Sequence, residues 1–308
     1  MPRARTALAM VCALWSAAPS PAQRFTSRAV GVRVDVLVTN GRQPVTGLSA
    51  RDFELRDDGI VQELAEVDHE QLPLNLILVF DTSTSVAGSR MDALLAAGQA
   101  LIGQLRPADR VAVLSFASRL HLLAPLTPSR DQVQAAFRAL HADGTTALRD
   151  AAFAGLALRD ADPGRTLMLI FSDGADTSSW LSASQVLASA KRTDAVVYAV
   201  ASLSTRAVPF GPDRTLGSLQ GSREGMIDVK NAGRFLEQLT GESGGRVLFA
   251  TSDADLTAAF TRTLAEFRDR YVLSYTPTGV APTGWHRLEV SLKGKKGKVT
   301  ARRGYFAE

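Results

Sequence analysis

Three patterns of apolar positions follow one another along the chain. From about Arg24 to Leu72 the period is two: Val30, Val32, Val34, Val36 and Val38 alternate with other residues, as in a strand with one buried face. Asn40-Gly41 marks a turn. Phe53 and Leu55 alternate ahead of a second turn at Asp57-Asp58-Gly59, and Val61 to Val67 predicts a returning strand. From about Pro73 to Arg268 strands and helices alternate instead. Leu76 to Phe80 and Leu167 to Phe171 are apolar throughout, as in strands covered on both faces. Val111 to Phe116, Ala195 to Val200 and Val247 to Ala250 predict further strands. Helical stretches lie between them, over Met91 to Leu105, Asp131 to Leu140, Leu148 to Arg159, Ser182 to Lys191 and Ala232 to Leu239, with a last one over Asp253 to Phe267. From Asp269 the β pattern returns in Tyr271 to Tyr275, Arg287 to Leu292 and Val299 to Arg302. The run Lys293 to Lys298 between the last two reads as a solvated hairpin turn.

Alternation of this kind predicts an α/β fold with a doubly wound, mostly parallel sheet and helices on both faces. The β segments at the two ends each have too few strands to bury a face alone, so they are expected to pair into a small β domain. The α/β domain, residues 73–268, would then be inserted between segments 23–72 and 269–308. Ser202 to Asp228, rich in Gly, Pro, Ser and Arg, is longer than a usual connection. No internal repeat is evident.

Composition narrows the classes. The 308 residues are 45% hydrophobic and 21% charged, a globular balance. The net charge of +4 includes Arg3 and Arg5, which lie in a segment expected to be removed, so the charge is too balanced for a nucleic-acid binder. Those arginines precede a short apolar run, Ala7 to Trp15, and then small residues, with Ser20 and Ala22 before Gln23. This is the pattern of a signal peptide over residues 1–22, and the run is far below the roughly 20 residues of a spanning helix. No later stretch is long and apolar enough to span a bilayer. The expected location is outside the cytoplasm, periplasmic or secreted to the cell surface. The single cysteine, Cys12, falls inside the leader, so the mature chain would rely on its core rather than on disulfides.

The sharpest chemistry is Asp81-Thr82-Ser83-Thr84-Ser85, directly after an apolar strand. It is joined by Gly144-Thr145-Thr146 before a helix and by Ser172-Asp173-Gly174 after a second apolar strand. In open parallel sheets ligands bind at the carboxyl ends of strands where the strand order reverses, so two acids that each end a buried strand would meet there. The candidate ligands Asp81, Ser83, Ser85, Thr146 and Asp173 are all oxygen donors, which suits Mg²⁺ or Mn²⁺ over zinc or copper. Only two of them carry charge. A cation held mainly by hydroxyls stays electron-poor and can accept a carboxylate from a partner, which is a binding device that needs no reaction.

This arrangement resembles the metal-ion-dependent adhesion site of von Willebrand factor A domains, including integrin I domains. The likeness covers about Pro73 to Arg268. It implies direct coordination by Ser83 and Ser85, with Thr146 direct or through water, and Asp81 and Asp173 acting largely through water and through hydrogen bonds to the serines. Thr146 is favoured over its neighbour Thr145 because Ala-Leu-Arg-Asp-Ala follows it as the helix start does in the family. Val45 to Gly59 and Arg302-Arg303-Gly304-Tyr305-Phe306 resemble the flanks of bacterial exported proteins of this type. The resemblance implies a protein partner presenting Asp or Glu, no enzymatic activity, and a last helix able to switch affinity.

Other readings compete. A phosphatase of the haloacid dehalogenase type also places Asp after a first buried strand, but it needs a second carboxylate two residues on, where this chain has Ser83. Gly241-Glu-Ser243-Gly-Gly245 fits the serine hydrolase pattern Gly-x-Ser-x-Gly but runs from helix to strand, the reverse of what that chemistry requires, and reads as a helix stop. His69, His121, His141 and His286 are scattered without zinc spacing, and no phosphate-binding glycine loop is present. A scaffold component of an envelope assembly is the structural alternative. Asp176 is expected to be an exposed loop acid rather than a group supporting the metal ligands, and Asp150 an ordinary helix residue.

Overall fold

The computed structural model describes residues 31–41, 43–69, 72–158, 164–172, 176–202, 233–250 and 252–307. The expected leader, Asp173 and most of the 202–228 segment lie outside these residues. Among the described residues no helix is long and apolar enough to cross a membrane.

The two fully apolar runs become the central strands. β6 (Leu74–Asp81) and β9 (Arg165–Ser172) are buried at all eight positions. They lie side by side in a six-stranded sheet with β7 (Arg110–Phe116), β8 (Leu120–Thr127), β10 (Val196–Ser202) and β11 (Val247–Ala250), in the order β11-β10-β9-β6-β7-β8. All pairings are parallel except that of β7 with β8. β8 is the strand that sequence patterning missed. It carries Pro125 and lies at the edge, where a missing ladder donor is tolerated.

Alternate side chains of each buried strand feed opposite cores. Leu76, Leu78 and Phe80 pack with α1 (Ser89–Ile102), α2 (Arg130–Arg138) and α6 (Asp253–Arg268). Ile77 and Val79 face α3 (Leu148–Ala157), α4 (Ala183–Ala190) and α5 (233–243). The helix starts follow local chemistry. Ser129, Ser182 and Ser252 each accept an amide hydrogen bond at the head of α2, α4 and α6.

The end segments pair as their patterning predicts. β1 (Val32–Asn40) runs antiparallel to β12 (Tyr271–Tyr275) and to β14 (Lys298–Thr300). β12 also pairs with β5 (Leu64–His69), and β2 (Gln43–Pro44) pairs with β1. A second sheet has the order β15-β13-β3-β4, from β15 (Gly304–Ala307), β13 (Gly284–Leu292), β3 (Phe53–Asp57) and β4 (Ile60–Gln62). Val34, Val36, Phe53, Leu55, Tyr271 and Leu288 form one shared core, so the two antiparallel sheets make a sandwich. The lysine run is therefore not a hairpin turn: it carries the chain from β13 in one sheet to β14 in the other. Lys295 pairs with Asp52 at 3.0 Å. The Ser49 amide first, and then Lys295, hold the Asp52 carboxyl down at about 2.

Two arginines fasten the sandwich to the α/β layer. Arg165 Nε donates to Asp35 at 2.8 Å while its guanidinium lies 4.5 Å over the Phe267 ring. Arg270, wholly buried, donates to Tyr198 Oη at 3.2 Å and to the carbonyls of Asp35 and Gly244.

The Gly-x-Ser-x-Gly segment ends α5. Ser243 Oγ donates to the Thr240 carbonyl and accepts the Val197 amide, so the hydroxyl is spent on structure. Gly244 has φ +79°, the left-handed cap conformation. A Cβ at Gly245 would lie 1.8 Å from the Val197 carbonyl oxygen. Gly245→Ala is therefore expected to cost at least about 2 kcal/mol by forcing β10 and the α5 end apart. Urea unfolding measures this, and a loss under about 0.5 kcal/mol contradicts the close approach.

Candidate metal centre

Strand order reverses at β6: the chain goes next to β7 on one side and later to β9 and β10 on the other. The crevice between the carboxyl ends of β6 and β9 is thus the topological switch point. Asp81, the last residue of β6, is fully buried there. Thr82 donates its amide to the Phe116 carbonyl at 2.8 Å, and the chain then folds back on Asp81. Ser83 donates both its amide (2.9 Å) and its hydroxyl (2.6 Å) to Asp81 Oδ1, a charge-assisted local turn. Ser83 Oγ also lies 2.9 Å from Ser85 Oγ. The Ser83 hydrogen is committed to Asp81, so Ser85 is the donor in that contact, and lone pairs remain free on both serines.

The 143–146 loop is tied to this turn. Gly144 O accepts the Thr84 amide (3.1 Å) and hydroxyl (3.0 Å), and the Asp143 amide donates to Thr82 O at 2.8 Å. Gly144 has φ +71°, and a Cβ would come 2.5 Å from Ser118 Oγ, so glycine is required. Thr146 is buried and Thr145 exposed. The Thr146 amide donates to Thr177 Oγ1 at 3.1 Å, and its carbonyl accepts the amides of Thr177 and Ser178.

Of the five predicted ligands, Asp81, Ser83 and Ser85 are joined by hydrogen bonds, and Thr146 stands on the adjoining loop. Asp173 lies outside the described residues, one position after Ser172. Ser172 was not singled out from the sequence. Its hydroxyl donates to Asp81 Oδ2 at 2.8 Å, so the second carboxylate oxygen is also fixed. A small polar residue ending an otherwise apolar buried strand was the available signal.

Asp176 differs from expectation: it is not an exposed loop acid. Its side chain is 10% exposed, accepts the Leu148 amide at 3.1 Å, and pairs with Ser179 and Arg149. It caps α3 and stabilises that helix start. Asp150 does more than occupy a helix: its two oxygens accept the amides of Trp180 and Leu181, each at 2.9 Å. Together these bonds clamp the 176–181 loop onto the head of α3. Beside the β7–β8 turn and the 141–143 loop lies a cleft of about 470 Å³, lined by Thr82, Ser115, Arg119, His121, His141 and Asp143.

The residues fit a hard divalent cation. In an octahedral shell with metal–oxygen distances of about 2.1 Å, neighbouring oxygens stand about 3 Å apart. The two serine oxygens already have that spacing, and a buried, thrice hydrogen-bonded carboxylate lies behind one of them. All donors are oxygens, which disfavours soft metals.

Residues 76–176 match the family model described as von Willebrand factor type A domain. No curated protein matches the sequence significantly. Among solved structures, a von Willebrand factor type A protein from Catenulispora acidiphila aligns at 13% identity with TM-score 0.50, covering 85% of this chain and 74% of that one. A variant of the PilB minor pilin from Streptococcus sanguinis aligns at 14% identity with TM-score 0.49, over 65% of this chain. This chain thus spans 62% of that pilin's length. The corresponding domain of the pilus tip protein Mfa5 from Porphyromonas gingivalis aligns at 12% identity with TM-score 0.47, covering 68% and 98% of the two chains. By the family match over 76–176 and the sheet that carries it, this stretch of the chain is similar to von Willebrand factor type A domains.

Proposed function

We propose that this protein is an exported, non-enzymatic binding protein that holds Mg²⁺ or Mn²⁺ at Asp81, Ser83, Ser85, Thr146 and Asp173, and through the cation grips an Asp or Glu of a protein partner. The observation that carries this reading is the convergence of the Asp81, Ser83 and Ser85 oxygens at the switch point of the sheet. Within this scheme the chain's own residues have distinct tasks. Asp81 orients Ser83 by taking its hydroxyl hydrogen, which leaves the Ser83 oxygen only as an acceptor, with a lone pair beyond the one Ser85 uses. Ser172 keeps the Asp81 carboxylate from rotating, and Gly144 fixes the 143–146 loop against the Ser83 turn. The bound cation supplies electrostatic attraction for a carboxylate in a partly dry interface. The inserted α/β domain would span residues 73–268, with the sandwich from 23–72 and 269–308 as its stalk.

Calorimetric titration tests the reading. Saturable one-site uptake of Mg²⁺ and Mn²⁺ is expected, together with binding of an Asp-containing peptide only when cation is present. Peptide binding that persists unchanged in chelator, or no cation uptake by folded protein even with acetate supplied, overturns it.

A further inference from the structure

The loop that follows β9 presents an aromatic side chain to solvent. Trp180 is 95% exposed, the extreme among the large apolar residues of the described chain. The other exposed Trp and the C-terminal Phe are roofed. Lys191 lies 5.0 Å over the Trp285 ring and Arg192 lies 4.2 Å over that of Phe306. Among the described residues no cation or ring packs on Trp180. Its exposure is not that of a slack loop, because the backbone on both sides is held: Thr177 and Ser178 donate to Thr146 O, and Trp180 and Leu181 donate to Asp150. Phe153, 41% exposed, stands one turn along α3 from Asp150 and therefore on the same helix face.

The position ties Trp180 to the candidate metal centre. Ser178, two residues before Trp180, accepts a hydrogen bond from the Thr145 hydroxyl at 3.0 Å, and the same loop clasps Thr146. Two residues of chain reach at most about 7 Å, so the Trp180 backbone stands beside the candidate metal-site loops. Trp is among the residue types enriched at interface hot spots.

We propose that Trp180, flanked by Phe153, is the apolar anchor of the partner interface, and that the partner is a protein whose metal-seeking acid is accompanied by an aliphatic or aromatic residue. This rests on the metal reading for the acid, while the anchor itself has an independent readout. The test uses the full protein with Trp285→Phe, so that Trp180 is the emitting indole of the mature chain. The probes are short peptides with one Asp in a Gly background, the same peptides with one Leu placed one to four residues from the Asp, and a Leu peptide lacking the acid.

With Mn²⁺ present, the best Asp-Leu peptide is expected to bind about tenfold tighter than the Asp-Gly peptide, with a blue shift of the indole emission. Trp180→Ala should abolish that advantage and leave Mn²⁺ affinity and Asp-Gly binding unchanged. If Leu peptides bind through Trp180 with or without acid and cation, the anchor stands and the metal–carboxylate reading falls. If Asp-Gly peptides bind with Mn²⁺ but Leu adds nothing, or its gain survives Trp180→Ala, the anchor is overturned and the metal reading stands. No binding of any peptide at millimolar concentration also overturns the anchor.

Discussion

Asp57→Ala is expected to remove about 3–5 kcal/mol of folding stability, because it takes the acceptor from three buried donors at once. Asp57 is fully buried at the end of β3. Its Oδ2 accepts the hydroxyls of Tyr275 (2.8 Å) and Tyr305 (2.9 Å), and its Oδ1 faces His286 Nδ1 at 2.9 Å. Tyr275, Tyr305 and His286 all belong to the last β segments, so one carboxylate from the start of the chain binds three side chains from its end. Urea unfolding at neutral pH checks the size, with the midpoint falling at an unchanged slope. A loss below about 1 kcal/mol would mean the network relaxes onto other acceptors.

The same network has an alkaline signature. Burial first, and then the hydrogen bond to Asp57, push the Tyr305 phenol from 10.0 up to about 12. Tyr275 is raised in the same direction for the same reasons. The folded state holds these protons more tightly than the unfolded chain. Their stabilisation is therefore complete below about pH 10 and is lost as pH climbs through the folded values. Tyr305→Phe should flatten the stability profile between pH 10 and 12.

Asp81→Asn carries the other large effect, on cation binding rather than on folding. The amide can still accept from Ser83, so the turn should persist, but the negative charge behind the serines is gone. Divalent affinity is expected to fall about 10- to 100-fold, read by Mn²⁺ titration, while circular dichroism and the unfolding midpoint change little. Retained affinity in a folded variant would remove Asp81 from the site.

Much of the α/β layer was legible because burial on two faces and burial on one face leave different spacings. β6 and β9 read as unbroken apolar runs and β1 as an alternation, and each occupies the role its spacing demands. The Asp81-x-Ser83-x-Ser85 turn was legible because its hydrogen bonds are local: a side chain two residues away completes them. What escaped is what depends on distant partners. The partner of β14 is β1 and not β13, and nothing in the lysine run encodes that choice. Arg270 lies fully buried and spends its donors on the Asp35 and Gly244 carbonyls and the Tyr198 hydroxyl, partners that no local pattern announces. Trp180 misleads in the opposite sense, since an indole is ordinarily a core residue. Asp150 and Asp176 look like generic helix and loop acids until the 176–181 loop is seen folding over the head of α3.

The pairing of β1 also sets a timetable. Val32 meets Tyr275 and Leu37 meets Thr300, so β1 can complete its ladders only after the chain up to Thr300 has been made. Closing so long a loop is entropically slow, and contacts of such high order form late. The parallel sheet between can assemble from nearer neighbours, and once ordered it brings the two ends together and shortens the effective loop. Until then β1 is an apolar strand with open edges, the form of chain most prone to pair with a stranger. The sandwich is therefore expected to close last, after the α/β layer between its two halves has formed.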